Sequence, residues 1–423
     1  MRTIVLSLSC ILTLSAQDLD GISDFYDYVN RDWIDSTEFS DRSIVINEAG
    51  LQWETVQGKS IAILADTATF GLNEQYLHTL AQLRCYYTVL LESGLDAATS
   101  FQQVQDQFPM IFGIVWSEIH YSPEQELKLS RLYEYTHNAY RHAIESSTWL
   151  DSYHQELFLN KLRCIELHSG APTLTDYPKI PNLTSLSLAE MTTLINIHES
   201  VPQSSDIYWP TSPCEPHCFY QPGQNRIIIN AGALLGLDSS RIGAKTFAII
   251  GRTIAHEMTH AFDDIGEDYD ETGRRIGFIN KIYRGGFLRE SPMDHNRRAI
   301  MDQYDQFTLG VGRSVSGKKT LLENHADIAG VEVSYHAFKF FLDTEYPDLS
   351  EEQRDIELRN YFIGYAQMWR EISTDDFKLK TLERIHAPQK FRAIGPIYNQ
   401  DDFYTLFDID PISSYYIPAD QRV

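Results

Sequence analysis

Residues 253–262 read TIAHEMTHAF, and this stretch decides the fold. His256 and His260 are four apart, so on a helix they stand on one face, one turn above the other. Glu257 sits beside them at the edge of that face. Ile249, Ile250, Ile254, Ala255, Met258 and Phe262 surround the three polar residues, which marks a core helix. Burying such groups without partners costs about 1–3 kcal/mol each. HEMTH is the H-E-x-x-H pattern: two imidazoles at i and i+4 can aim a ring nitrogen at one Zn²⁺ at about 2.0–2.1 Å. The glutamate then lies close enough to take a proton from a water at that ion. The plain alternative is a pair of core histidines bonded to backbone carbonyls.

A zinc site needs a third ligand, and residues 321–338, LLENHADIAGVEVSYHAF, supply a candidate. Glu323 and Asp327 are four apart on the face of an apolar helix. Glu323 can ligate the metal. Asp327 can accept the free ring N–H of a ligand histidine, fixing its tautomer. His325 points elsewhere on the helix and reads as a non-ligand. The alternative is an ordinary exposed acidic face, which fits poorly with the apolar residues on both helices.

The chain of 423 residues is long enough for one large domain or two, each with a core. Its formal net charge of −24 argues against nucleic acid or an anionic membrane as partner and is otherwise explained by a solvated acidic surface. Residues 1–16, MRTIVLSLSCILTLSA, read as a signal peptide: Arg2, then an apolar run from Ile4 to Leu14, then small residues. A cut after Ser15 fits the small-x-small rule better than one after Ala16. The reading implies a secreted or extracytoplasmic protein, with membrane contact only if this segment is an uncleaved anchor. Removing Cys10 leaves Cys85, Cys164, Cys214 and Cys218, an even set that permits two disulfides or free thiols equally well. Asn182 in NLT is a glycosylation acceptor if the source is eukaryotic.

Elsewhere the pattern is mostly helical. Ser23 can cap a helix over residues 24–36, where Phe25, Val29 and Trp33 recur at four-residue spacing. Ser122 and Pro123 start another, along which Leu132, Thr136, Ala139 and Ala143 recur. Residues 170–185, GAPTLTDYPKIPNLTS, break the pattern with three prolines, which sets a boundary near Asn182. Residues 225–232, NRIIINAG, form a short β run that can pair with an extended peptide as an added strand. After it the chain is helical up to a loop at HAPQKFRAIGP. These features make the fold mainly α with a small β element.

Residues 256–273, HEMTHAFDDIGEDYDETG, followed by ENHADIAG at 323–330, resemble the neprilysin and endothelin-converting-enzyme family of zinc metallopeptidases. Other stretches agree: FYDYVNRDW at 25–33, WLDSYHQELFLNKLRCIELHSGAP at 149–172, IHAPQKFRAIGPIYNQDDFYTLF at 385–407, and YIPAD at 416–420. The resemblance implies His256, His260 and Glu323 as ligands of one Zn²⁺, Glu257 as general base, and Asp327 as the carboxylate that orients a ligand histidine. It implies His386 as the donor to the transition-state oxyanion and Arg392 as the residue that binds a substrate carbonyl. His217 and Cys218 align with the family's Asn-Ala pair that holds the substrate backbone, so the contact geometry there departs from the family's. The family's second, helical domain is reduced between Trp33 and Trp149.

The expected architecture is a thermolysin-like catalytic domain over residues 182–423 and a reduced helical region over 17–181. The expected activity is zinc-dependent endopeptidase action on extracytoplasmic oligopeptides or unfolded chains. The alternative from another class is a catalytically weak or inactive zinc-binding relative that holds peptides. His217, Cys218 and the shortened region motivate it; the retention of Glu257 speaks against it.

Overall fold

The computed structural model describes residues 24–40, 43–199, 209–237, 241–276, 292–309, 312–413 and 416–423. The signal-peptide reading, Cys10 and the cap at Ser23 lie outside these residues. In chain order the helices are α1 (Phe25–Ser36), α2 (Glu48–Ala65), α3 (Glu74–Glu92), α4 (Ala97–Gln107), α5 (Pro109–His120), α6 (Pro123–Ser146), α7 (Ser152–Arg163) and α8 (Leu188–Glu199). After a break come α9 (Ala244–Thr246), α10 (Arg252–Thr259), α11 (Pro292–Asp305), α12 (Leu321–Glu345), α13 (Glu351–Met368), α14 (Asp375–Thr381), α15 (Gln389–Ile397) and α16 (Asp401–Leu406). The strands are β1 (Val45–Asn47), β2 (Glu166–Gly170), β3 (Cys218–Gln221), β4 (Arg226–Asn230) and β5 (Glu371–Ser373). The fold is mainly α with a small β element, as the sequence pattern implies.

Local sequence accounts for the helix starts. Ser122 accepts from the Gln125 amide while Gln125 reaches back to the Ser122 N–H, a reciprocal cap that fixes the first turn of α6. Leu129, Leu132, Thr136 and Ala139 then bury one face of α6 against α12. The start of α1 is held by Asp24, whose carboxylate accepts from the Asp27 N–H at 3.0 Å. Phe25 is fully buried and meets Phe403 and Phe407 edge-on at 5.0 Å each. Such aromatic pairs contribute about 0.5–1.5 kcal/mol beyond their buried area. Asn30 donates to the carbonyl of Ala366 at 3.1 Å, so this early segment is built into the last third of the chain.

Two hydrophobic clusters divide the molecule, and each draws on both sides of residue 182. The larger holds Phe25 and Tyr26, the inner faces of α6 and α7, and most apolar residues of α10, α12, α13, α15 and α16. The smaller gathers α2 through α5 with Leu174, Tyr177, Ile180, Leu183, Met191, Ile195, Cys214 and Ala231. Gln52 on α2 donates to the Gly232 carbonyl at 2.9 Å, and β1 pairs antiparallel with β5, joining the two parts.

Two sequence expectations are corrected. β4 is the central strand of its sheet, parallel to β2 and antiparallel to β3, so its backbone groups are already paired and no peptide can add to it. All five β4 residues are buried, as a central strand requires. The stretch expected as a loop at 386–396 contains helix α15, with Phe391, Ala393, Ile394, Gly395 and Ile397 buried; Pro396 falls near its end. Cys85, Cys164, Cys214 and Cys218 are free thiols, and Asn182 is exposed. Among the described residues no helix is long and apolar enough to cross a membrane.

Candidate metal centre

Helix α10 carries the two histidines, and a π-helical turn at Phe247–Gly251 leads into it. Helix α12 lies directly against α10. Gly330 makes that approach possible: a Cβ there would stand 3.2 Å from the Arg252 carbonyl oxygen and from the His256 nitrogen. One and two turns before Gly330, Asp327 and Glu323 face α10. The ligand atoms of His256, His260 and Glu323 lie within 4.8 Å of one another, and this is the three-residue metal-type group among the described residues.

The donor set fits a cation. Nε2 of His256 and Nε2 of His260 face each other at 3.1 Å, so without an ion one must carry the proton and the other accept it, while both nitrogens are aimed at the same point. Oε2 of Glu323 stands 3.3 Å from His256 Nε2, 3.7 Å from His260 Nε2 and 3.0 Å from His386 Nε2. That oxygen is buried and no donor is aligned on it as a hydrogen bond. An ion among the three residues satisfies all of these atoms at once, and two imidazoles with one carboxylate suit Zn²⁺.

The outer ring nitrogens meet carboxylates. His256 Nδ1 lies 2.9 Å from Asp327 Oδ1, outside good hydrogen-bond alignment, and His260 Nδ1 lies 2.8 Å from Asp263 Oδ2. Burial works against the charged form of His260, but Asp263, Glu257 and Glu323 outweigh it and raise its pKa to about 9. Burial likewise opposes ionisation of Glu323, yet contacts with His256 and His386 hold its carboxyl well below the usual range. Asp327 is 0% exposed. It accepts from Arg392 through Nε at 2.7 Å and Nη2 at 2.8 Å, and it also pairs with Arg252. Despite the cost of burial, the two guanidiniums keep it strongly ionised.

One cavity of about 1880 Å³ is lined by His217, Cys218, His256, Glu257, His260, Glu323, His386 and Arg392, and Asp327 stands behind them. The nine residues singled out from the sequence therefore converge on one place. His386, 41% exposed at its side chain, follows α14 and reaches Glu323. Arg392 lies on α15 with its guanidinium 4.2 Å from the Trp369 ring centroid. Cys218 begins β3, and burial together with the charge of Glu257 pushes its thiol pKa up. The carbonyl of His217 accepts from the Asn230 amide at 3.1 Å, and its ring meets Glu215 at 3.2 Å. Sequence reasoning missed Asp263 and Arg252. The first had a signal in its spacing, three residues after His260; the second had none, because its partner lies 75 positions away.

The fold and this centre define a metallopeptidase architecture, and comparison with known proteins agrees. Residues 217–423 match the family described as Peptidase family M13, and they belong to that neprilysin and endothelin-converting-enzyme family. The chain is similar to an endothelin-converting enzyme homolog of Locusta migratoria, 32% identical over 47% of this chain and 27% of the relative. It is also similar to neprilysin-3 of Drosophila melanogaster, 26% identical over 64% of this chain and 36% of the relative. In fold it resembles the zinc metalloprotease ZMP1 of Mycobacterium tuberculosis, crystallised with an inhibitor, at a TM-score of 0.63, 21% identity, 78% of this chain and 51% of that one. PEPO of Lactobacillus rhamnosis gives a TM-score of 0.63 and 21% identity over 86% of this chain and 56% of that one. The chain spans only 27% and 36% of the length of these two curated relatives.

Proposed function

We propose that the protein is a zinc-dependent endopeptidase acting on extended peptides. The observation that carries this is the convergence of His256, His260 and Glu323 on one point, with the unaligned Glu323 oxygen facing the imidazole nitrogens. A zinc ion held by these residues supplies Lewis acidity, which acidifies water and polarises a carbonyl. Glu257, buried beside His256 on the cavity wall, takes the proton from the attacking water and passes it to the leaving amine nitrogen. Asp327 and Asp263 sit against the outer nitrogens of the two histidines and hold their inner nitrogens as ligands. His386 donates from Nε2 to the oxygen that becomes negative. Arg392, fixed on Asp327, presents its remaining donors to the substrate backbone.

Strand β3 is the edge on which an extended chain can be held. His217 pairs with Asn230, so the alternation of an antiparallel ladder turns the backbone groups of Cys218 and Tyr220 toward the open edge. Both residues line the cavity. An extracytoplasmic location belongs to the same proposal and is supported by the apolar run from Ile4 to Leu14.

Zinc content and turnover of a mixed peptide library test the proposal, with and without a chelator. The expected result is about one zinc per chain and turnover abolished by chelation. Glu257→Gln is expected to keep its zinc while turnover falls by at least about 10²–10⁴-fold. A Glu257→Gln protein within tenfold of the parent would reject the role of Glu257. Bound zinc with no turnover of any peptide would leave the inactive, peptide-holding relative.

A further inference from the structure

The cavity beside the metal centre has an electrostatic character opposite to that of the whole molecule. The chain carries a formal charge of −24. Among the described residues the cavity lining nevertheless has six cations: Arg241, Lys245, Arg252, Arg359, Arg370 and Arg392. It has four carboxylates, and two of these, Glu257 and Glu323, belong to the centre itself.

Arg252 is the member of this set that its surroundings leave unbalanced. It lies one turn before His256 on α10 and is 3% exposed. Its Nη2 bonds Asp327, but Arg392 already engages both oxygens of that carboxylate. Two buried guanidiniums thus share one negative charge. The guanidinium of Arg252 is 4.9 Å from the Trp369 ring centroid, which offers it a π face but no countercharge. Its Nε is buried without a hydrogen-bond partner. So is Nε1 of Trp369, and so is Nε of the adjacent Arg370. All three residues line the cavity. A buried N–H left unsatisfied is costly; Arg370 has its own carboxylate partner in Glu48, so Arg252, which shares a single countercharge with Arg392, is the wall residue whose charge an acceptor on a bound ligand would balance.

We infer that Arg252, with Trp369, forms a specificity subsite for a peptide carboxylate placed close to the scissile bond, so that acidic peptides are the preferred substrates. This rests on the peptidase reading above. The carboxylate is either an acidic side chain or the peptide's own C-terminus; both present two acceptor oxygens and one negative charge. Charge-assisted hydrogen bonds in a dry site discriminate strongly against a neutral isostere, because the amide leaves a buried charge unpaired. The shared anchoring to Asp327 fixes the guanidinium in place before substrate arrives, so little ordering is needed on binding.

The test uses ten-residue peptides that differ at one position on either side of a common bond, carrying Glu, Gln or Leu there, each as C-terminal acid and amide. Cleavage is followed by mass spectrometry and kcat/KM is compared. Binding of the same peptides, fluorescently labelled, is measured on zinc-loaded Glu257→Gln protein. The expected result is a preference of at least about tenfold for Glu over Gln, or for the free acid over the amide. The first outcome assigns the subsite to a side chain and the second to the terminus. Arg252→Met is expected to bring the ratio to about one and Arg252→Lys to keep part of it. A purely structural role would lower the values for acidic and neutral peptides alike and leave the ratio unchanged. Ratios within twofold for every pair on the unaltered protein would overturn the inference, even if all peptides are cut. If none is cut, the peptidase reading fails, and the binding ratios still decide this one.

Discussion

Asp327 shows how one residue can serve position, charge and stability together. Its carboxylate meets His256, Arg252 and Arg392, and it has no exposure to water. Asp327→Ala therefore leaves two buried guanidiniums facing each other without a counter-ion. Breaking a buried pair in this way costs about 3–5 kcal/mol, so a marked loss of thermal stability is expected alongside zinc affinity weakened by about 10–100-fold. Glu323→Ala removes a ligand: zinc is expected to be lost outright, while the metal-free protein melts close to the metal-free parent, because the carboxylate faces a cavity. Zinc titration and thermal unfolding of the metal-free proteins separate the two. Equal metal loss with equal stability in both variants would reject this division of labour. At this scale the sequence was legible where spacing along one helix carried the geometry, as for His256, His260, Glu323 and Asp327. It was silent on Arg252, since nothing near position 252 says that an aspartate on another helix is its partner.

Helix packing sets the distance between the proposed ligands. Glu323 and the two histidines share a point only because α12 lies close to α10, and Gly330 is the contact that permits it. An added Cβ at 3.2 Å from the Arg252 oxygen and the His256 nitrogen meets backbone, which cannot rotate away. Gly330→Val is expected to force the helices apart, with a destabilisation of about 1–3 kcal/mol and weakened zinc binding. Unfolding curves and zinc affinity check this; unchanged zinc affinity would mean that the centre does not depend on that approach. The apolar periodicity of α6, α10 and α12 was readable, and so was the β character of residues 226–230. The order of strands was not, because a run of isoleucines does not reveal which neighbours pair with it. The stretch expected as a loop at HAPQKFRAIGP holds helix α15, whose two prolines sit at its cap and near its end, where they leave most of its hydrogen bonds intact.

At the scale of the molecule, the two hydrophobic clusters interleave along the chain, so the proline-rich stretch at 170–185 crosses between them and does not separate them. Leu174, Tyr177, Ile180 and Leu183 pack with α2 through α5, while β2 just before them pairs with β4. Composition marks such a stretch as irregular but says nothing about which core it joins. The same arrangement bears on what enters the cavity. Among the described residues before β2, the lining comes from α2 alone, at Glu48, Ala49, Leu51, Gln52 and Thr55.

One helix can wall a side of the cleft, but it does not enclose a chamber. Helix α2 is held by Gln52 on the Gly232 carbonyl and by Glu48 paired with Arg370, so the wall is fixed along one edge. The volume of about 1880 Å³ exceeds the about 300–1,000 Å³ typical of small-molecule pockets and suits a length of extended chain. The expectation is that long unfolded chains enter as readily as short peptides. Folded proteins should resist, because holding a chain along the edge of β3 requires several extended residues free of their own structure. The measurement compares a denatured protein with a ten-residue peptide carrying the same cleavage sequence, at equal molar concentration. Comparable kcat/KM values support the open cleft. Cleavage confined to the short peptide would show that α2 and the cluster behind it, or a partner subunit, still restrict entry by size.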